Sequence, residues 1–396
     1  MTAAGDGLLL STAFWALFAL YVVLDRALAG WLPLRARYLA SALGSAGFLW
    51  YFTSVGWAYL LALYVGLSVV FLAAQRVLRE RPPLSRLLFL FGLVISAWSL
   101  GKIGTSLELS HLAWLFFLGA SFLMIKVWTF HKDLYDGRID DPRWLTFLAY
   151  CTFFPCFLSG PMHLYGEFRE AFEQRSKLDG VALVDAVFRI LHGLVKVLIV
   201  AVALRPYSLE TLQGSGLSEV SLIELAWRSV AYSLVIYLDF SGYSDIAIAS
   251  GALLGIRVPE NFRLPYLASD LRDFWQRWHI TFTRVLTQYL FIPFVRVLQA
   301  RVGRLSALGT STLAYLVTFL FCGFWHGSTP NYLAWGLYHG LGLVALDYLR
   351  RRSTARPPRQ AGAGRLARQA AGTLATFLFV SLGWLFFMLP MSFWSR

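Results

Sequence analysis

The chain has 396 residues, of which 58% are hydrophobic and only 14% charged. An average soluble domain carries roughly a quarter charged residues, so this composition excludes that class and points to a multi-pass membrane protein. The net charge of +13 does not by itself call for nucleic acid, because roughly half of the 35 Lys and Arg residues fall in four short clusters between apolar runs, as the positive-inside rule produces.

Apolar runs predict spans over 7–24, 38–52, 55–74, 86–100, 111–130, 144–160, 181–204, 222–256, 275–297, 305–326, 332–349 and 374–389. Because about 20 apolar residues cross a bilayer, the shorter runs read as half-spans or re-entrant segments, and roughly eleven helices are expected. The first run lacks a basic leader and reads as a membrane helix, not a cleavable signal. The clusters Arg26/Arg35/Arg37, Arg76/Arg79/Arg81/Arg86, Arg296/Arg301/Arg304 and Arg350–Arg368 are assigned to the cytoplasm. That puts the N-terminus outside and turns the hairpin at 326–330 outward. No long linker or internal repeat divides the chain, so 1–396 reads as a single membrane domain. Cys151, Cys156 and Cys322 all sit in apolar runs, where thiols usually behave as small hydrophobes. No metal-ligand spacing, phosphate loop or dinucleotide glycine pattern is present.

Polar chemistry concentrates between Tyr232 and Gly327. Asp239, Ser241, Tyr243 and Asp245 interrupt an apolar run, and ionisable groups at such depth are functional candidates by default. They read either as the lining of a polar substrate passage or as scaffold, capping a broken helix or pairing with Arg272 or Arg277. Phe274, Trp275, Trp278, His279 and Phe282 share one face of a helix, which suits a helix in the interface plane or along a cavity. His326 ends an apolar helix at Gly327, a residue suited to a left-handed cap. Ser328 or Thr329 then caps a new helix with Pro330 in its first turn. A neutral imidazole there can act as general base; a histidine bonded to a carbonyl at the membrane interface fits the same pattern. Cys322, one turn before His326, offers a thiol nucleophile only if the adjacent base activates it.

These residues, in order, resemble the membrane-bound O-acyltransferase family, in its bacterial cell-envelope branch. The resemblance is carried by Phe154-Pro155 with Ser159-Gly160-Pro161, by Asp239-Phe240-Ser241-Gly242-Tyr243-Ser244 and by Pro259-Glu260-Asn261-Phe262. It continues through Asp273-Phe274-Trp275-Gln276-Arg277-Trp278-His279 and Phe324-Trp325-His326-Gly327, with Tyr338-His339-Gly340 beyond. It covers roughly residues 115–345. One departure is Thr287-Gln288, where relatives tend to have Arg-Asp before a Tyr-Leu-Phe-Ile-Pro run.

The resemblance implies an all-α polytopic fold, a ring of tilted helices around a thin floor with funnels on both faces. It implies His326 as catalytic base and His279 as the second site histidine. Trp275, Trp278, Asp239, Ser241 and Tyr243 are the substrate-binding candidates, with a Trp N–H or protonated His279 steadying the oxyanion. It further implies no bound cofactor, but an acyl thioester donor, on a phosphopantetheinyl carrier protein or coenzyme A. The acceptor is a hydroxyl of an extracytoplasmic polymer, with an accessory transferase outside as a further partner. Independently of the family, a basic cytoplasmic face attracts an acidic carrier protein. Two other classes fit the residues alone: a transporter with an ion path through Asp239 and Asp245, or a non-catalytic scaffold for a separate transferase.

Overall fold

The structure is a computed structural model that describes residues 9–52, 57–80, 120–212, 214–301, 305–327, 329–352 and 363–394. The expected span at 86–100, the start of that at 111–130, Ser328, and Arg81, Arg86, Arg304, Arg356 and Arg359 lie outside the described residues. Among the described residues every regular element is helical, as a bilayer demands of a chain that must satisfy its own backbone hydrogen bonds. Among the described residues four helices are long and apolar enough to cross a membrane: Thr12–Ala29, Gly180–Tyr207, Ala307–His326 and Leu366–Met388. The protein is therefore a multi-pass membrane protein.

The residues fall into two compact bodies. The first comprises residues up to 195 together with 242–259. It holds α1 (Thr12–Ala29), α2 (Leu34–Phe52), α3 (Trp57–Glu80), α4 (Ala120–Tyr135), α5 (Trp144–Thr152), α6 (Tyr165–Glu173) and α7 (Gly180–Leu194). Helix α1 starts one turn later than the apolar run suggests, because the Ser11 hydroxyl accepts from the Phe14 N–H and caps it. Phe130, Phe147, Tyr150, Phe168 and Phe172 are fully buried at the centre of this body. Arg26 does not stand in a free loop. Its guanidinium donates to the carbonyls of Leu253 (2.7 Å), Ser176 (2.7 Å) and Ala252 (3.1 Å), satisfying carbonyls left over at a helix end.

The second body comprises residues 196–241 and 260–396. A π-helical segment, Val195–Ala201, prolongs α7 into it. Helix α8 (Leu222–Leu253) follows; it lies in this body through Ser241 and in the first from Gly242. The cluster at Asp239–Asp245 therefore caps no broken helix: α8 runs through it without interruption.

The break comes instead where one amphipathic helix was expected. Helix α9 (Leu271–Arg277) ends at Trp278, which is extended, and His279 is left-handed at φ 44°. Helix α10 (Ile280–Val285) restarts the chain, and a π-helical turn, Leu286–Phe291, leads into α11 (Ile292–Arg301). Thr287 and Gln288, the departure from the family pattern, are exposed on that π turn.

Helices α12 (Ala307–His326) and α13 (Pro330–Arg352) form a hairpin, against which α14 (Ala363–Met388) packs before the short α15 (Met391–Trp394). Gly327 ends α12 in an extended conformation (φ −167°, ψ 160°), not the left-handed cap its identity suggests. Its glycine serves space: a Cβ there would lie 2.0 Å from the Tyr332 ring.

Candidate active site

His326 closes α12, half-buried, inside a box of aromatic rings. Trp325 lies at 4.8 Å between centroids, Trp335 at 5.2 Å, Phe387 at 5.2 Å and Phe282 at 6.4 Å, each ring between 75° and 87° to the imidazole. Edge-to-face contacts of this kind favour one ring orientation. His279 shares two of those rings, with Phe282 at 5.0 Å and Trp325 at 6.5 Å, and meets Phe240 of α8 edge-on at 4.7 Å. Both imidazoles thus stand against the Phe282 and Trp325 rings. Sequence reasoning named both histidines, and the fold brings them together.

Why the chain breaks at His279 is visible in the segment 260–264. Asn261, fully buried, accepts the Ile280 N–H on its main-chain carbonyl at 2.9 Å, and Arg263 N–H donates to the Arg277 carbonyl at 2.9 Å. The Asn261 side-chain oxygen lies 3.0 Å from His279 Nδ1 and accepts the Thr281 hydroxyl at 2.9 Å. Backbone groups orphaned by the break thus find partners in a crossing segment, as buried polar groups must.

The other candidates divide. Trp275 is buried on α9, with its ring 5.2 Å from His339 and 6.1 Å from Trp335. Its Nε1 has no hydrogen-bond partner among the described residues. Trp278 packs on Phe262, Phe274 and Trp384, a packing role beside the histidines. Asp239 pairs with Arg205 at 2.7 Å, not with the expected Arg272 or Arg277. Those two are engaged elsewhere, Arg272 with Tyr315 and Asp347 and Arg277 with Asp273. Ser241 is buried next to Phe240, and its Oγ has no partner among the described residues. Tyr243 belongs to the first body, where its hydroxyl donates to the Pro155 carbonyl at 3.3 Å. Asp245, also there, pairs with Arg189 at 3.0 Å. Cys322 is fully buried, as expected of an inert thiol. No cluster of His, Cys, Asp and Glu among the described residues has the makings of a metal site.

Two site residues escaped assignment from sequence. Asn261 sits in a quoted motif but in a loop, where nothing local ties it to a residue 18 positions away. His339 is 1% exposed, four residues after Trp335 and 5.0 Å from its ring, with both ring nitrogens lacking a partner among the described residues. Gly383 makes room for it, since a Cβ there would stand 3.0 Å from Nε2. A histidine on an apolar helix face was the available signal, and it is a weak one.

Comparison with known families assigns residues 83–389 to the membrane-bound O-acyltransferase family. The chain belongs to that family. Membership extends well beyond the motif-bearing stretch in both directions. Among relatives, a teichoic acid D-alanyltransferase of Streptococcus thermophilus is 32% identical over 281 residues, 68% of either chain. A probable alginate O-acetylase of Pseudomonas fluorescens is 30% identical over 365 residues, 90% of this chain and 66% of its own. A peptidoglycan O-acetyltransferase of Helicobacter pylori is 32% identical over 254 residues, 62% of this chain and 44% of its own. The matches thus span from under half to about two thirds of these relatives' lengths. All three names describe acyl transfer, with teichoic acid, alginate and peptidoglycan as the polymers.

Proposed function

We propose that this protein is an integral-membrane O-acyltransferase that moves a D-alanyl or acetyl group from a cytoplasmic thioester to hydroxyls of an extracytoplasmic envelope polymer. The observation that carries the reading is the ring-held His326 beside His279, in a chain of this family. The His326 imidazole takes the acceptor hydroxyl's proton as that oxygen bonds to the thioester carbonyl carbon. The tetrahedral intermediate then expels the thiolate as the C–S bond breaks, and the imidazolium returns the proton to sulfur. The products are an ester and a free thiol, and no further reactant is needed. The buried Trp275 N–H is a donor available to developing negative charge in this site.

The whole chain serves as one acyltransferase domain in the bacterial cytoplasmic membrane, N-terminus outside and the arginine-rich stretch 350–368 inside. Arg350, Arg351 and Arg352 are exposed at the end of α13. Arg350 pairs with Asp270 and Arg351 with Asp347, so the attraction for an acidic phosphopantetheinyl carrier rests on the remaining arginines. A transporter reading fares worse, because Asp239 and Asp245 are both held by arginines.

Mass spectrometry of the envelope polymer from cells with and without the protein tests the proposal. An ester-linked D-alanyl or acetyl group is expected only in its presence. A polymer with identical acyl content in both strains would overturn it.

A further inference from the structure

The contacts of Asn261 define which nitrogen of His279 carries the proton. The side-chain atom of Asn261 that faces α10 lies 3.4 Å from the Thr281 backbone N–H and 2.9 Å from the Thr281 hydroxyl. A backbone N–H only donates, so that atom is the amide oxygen and not the amide nitrogen. The same oxygen lies 3.0 Å from His279 Nδ1. An amide oxygen only accepts, so Nδ1 supplies the hydrogen and the neutral ring keeps its lone pair on Nε2. The backbone holds this register independently. Ile280 N–H to the Asn261 carbonyl and Arg263 N–H to the Arg277 carbonyl tie the two segments on either side of the histidine. His279 itself is held at φ 44°, a conformation that non-glycine residues adopt at a cost.

We propose that Asn261 is a positioning residue that fixes His279 as its Nδ1–H tautomer, so that Nε2 enters acyl transfer as a hydrogen-bond acceptor, not as an oxyanion donor, and takes no proton from the hydroxyl that His326 deprotonates. The inference rests on the acyl-transfer reading for its functional half, whereas the tautomer stands on geometry. The two histidines share the Phe282 and Trp325 rings, and His279 has the Asn261 amide in addition. The charged groups on the segments around His279 are His326 on α12, Arg284 on α10, and Glu260 and Arg263 in the crossing segment. On α9 Asp273 is paired with Arg277 and Arg272 with Asp347, and on α8 through Ser241 Glu224 is paired with Arg228 and Asp239 with Arg205.

The test combines a spectrum with a pH profile. Full-length protein with ¹⁵N-labelled histidine in liposomes should give, by difference from His279→Gln, a protonated Nδ1 and an unprotonated Nε2. In Asn261→Asp the new carboxylate favours the imidazolium, so the acidic limb of kcat for thioester turnover should move up by about one pH unit. A neutral His279 is required, its protonation is made easier, and activity is therefore lost at higher pH than in the wild type. Asn261→Ala should lose roughly tenfold in kcat with KM unchanged, the cost of a misplaced site group. Thr281→Val, which removes one donor to the same oxygen, should lose less and serves where the Asn261 variants do not fold.

A proton on Nε2 in the wild type would overturn the tautomer. An Asn261→Asp profile superimposable on wild type would overturn the positioning role. An Nδ1–H spectrum in a protein without thioester turnover overturns the acyl-transfer reading and leaves the tautomer intact.

Discussion

His326→Ala is expected to lower thioester-dependent acyl transfer by about 10²–10⁴-fold, the contribution of a positioned general base. Folding should be spared. The imidazole is half-buried at a helix end, and its neighbours pack on one another without it, Trp325 on Phe282 and Trp335 on Phe387. Losing the ring therefore opens a gap beside Gly327 whose aromatic walls still pack on one another. His326→Gln, which keeps volume and a polar tip but titrates at no accessible pH, should be equally inactive. Turnover of a thioester donor by purified protein in liposomes, with thermal melting followed in parallel, measures both claims. Wild-type turnover in His326→Ala would remove the base assignment, whatever the melting temperature.

Gly336→Val should damage stability strongly near the site. A Cβ at Gly336 would stand 2.3 Å from the Phe319 carbonyl oxygen, and one at Gly323 would stand 2.2 Å from the Tyr332 carbonyl oxygen. Both obstacles are backbone, so no side chain can swing aside. Close approach through small residues is the usual way helices pack in lipid, where no hydrophobic force drives them together. Valine would push α13 off α12, with a penalty of about 1–3 kcal/mol for overpacking. It would also displace Trp335, the ring 5.2 Å from His326. Both the melting temperature and kcat should fall, whereas Leu337→Val, on an exposed position of the same helix, should change neither. A Gly336→Val protein that melts with wild type would mean the helices do not meet as described.

The helical, membrane-spanning class was legible because composition and apolar run length are local quantities that the bilayer constrains directly. The histidine at the end of α12 was legible too, since a polar residue followed by Gly and Pro marks a helix boundary. The break at Trp278-His279 was not. Phe274, Trp275, Trp278, His279 and Phe282 recur with a helix period, and all are buried, so periodicity alone draws one helix through them. What interrupts it is Asn261, whose carbonyl and amide oxygen compete for the groups a continuous helix would pair internally. The partner of Asp239 was missed for a similar reason. Arg205 lies 34 positions away and outside the run of motifs from Tyr232 to Gly327, whereas Arg272 and Arg277 stand within it but find acids of their own. Gly327 shows that residue identity can be read correctly as special and still for the wrong cause, room in place of handedness.

The left-handed backbone at His279 is kept against the residue's own conformational preference. Its Cβ imposes about 1–2 kcal/mol at φ 44° that a glycine would not meet, yet His279→Gly would also empty the buried space that the ring fills against Phe240 and Phe282 and remove its bond to Asn261. Strain and packing oppose each other at one residue, so the melting temperature of such a variant says little of its activity.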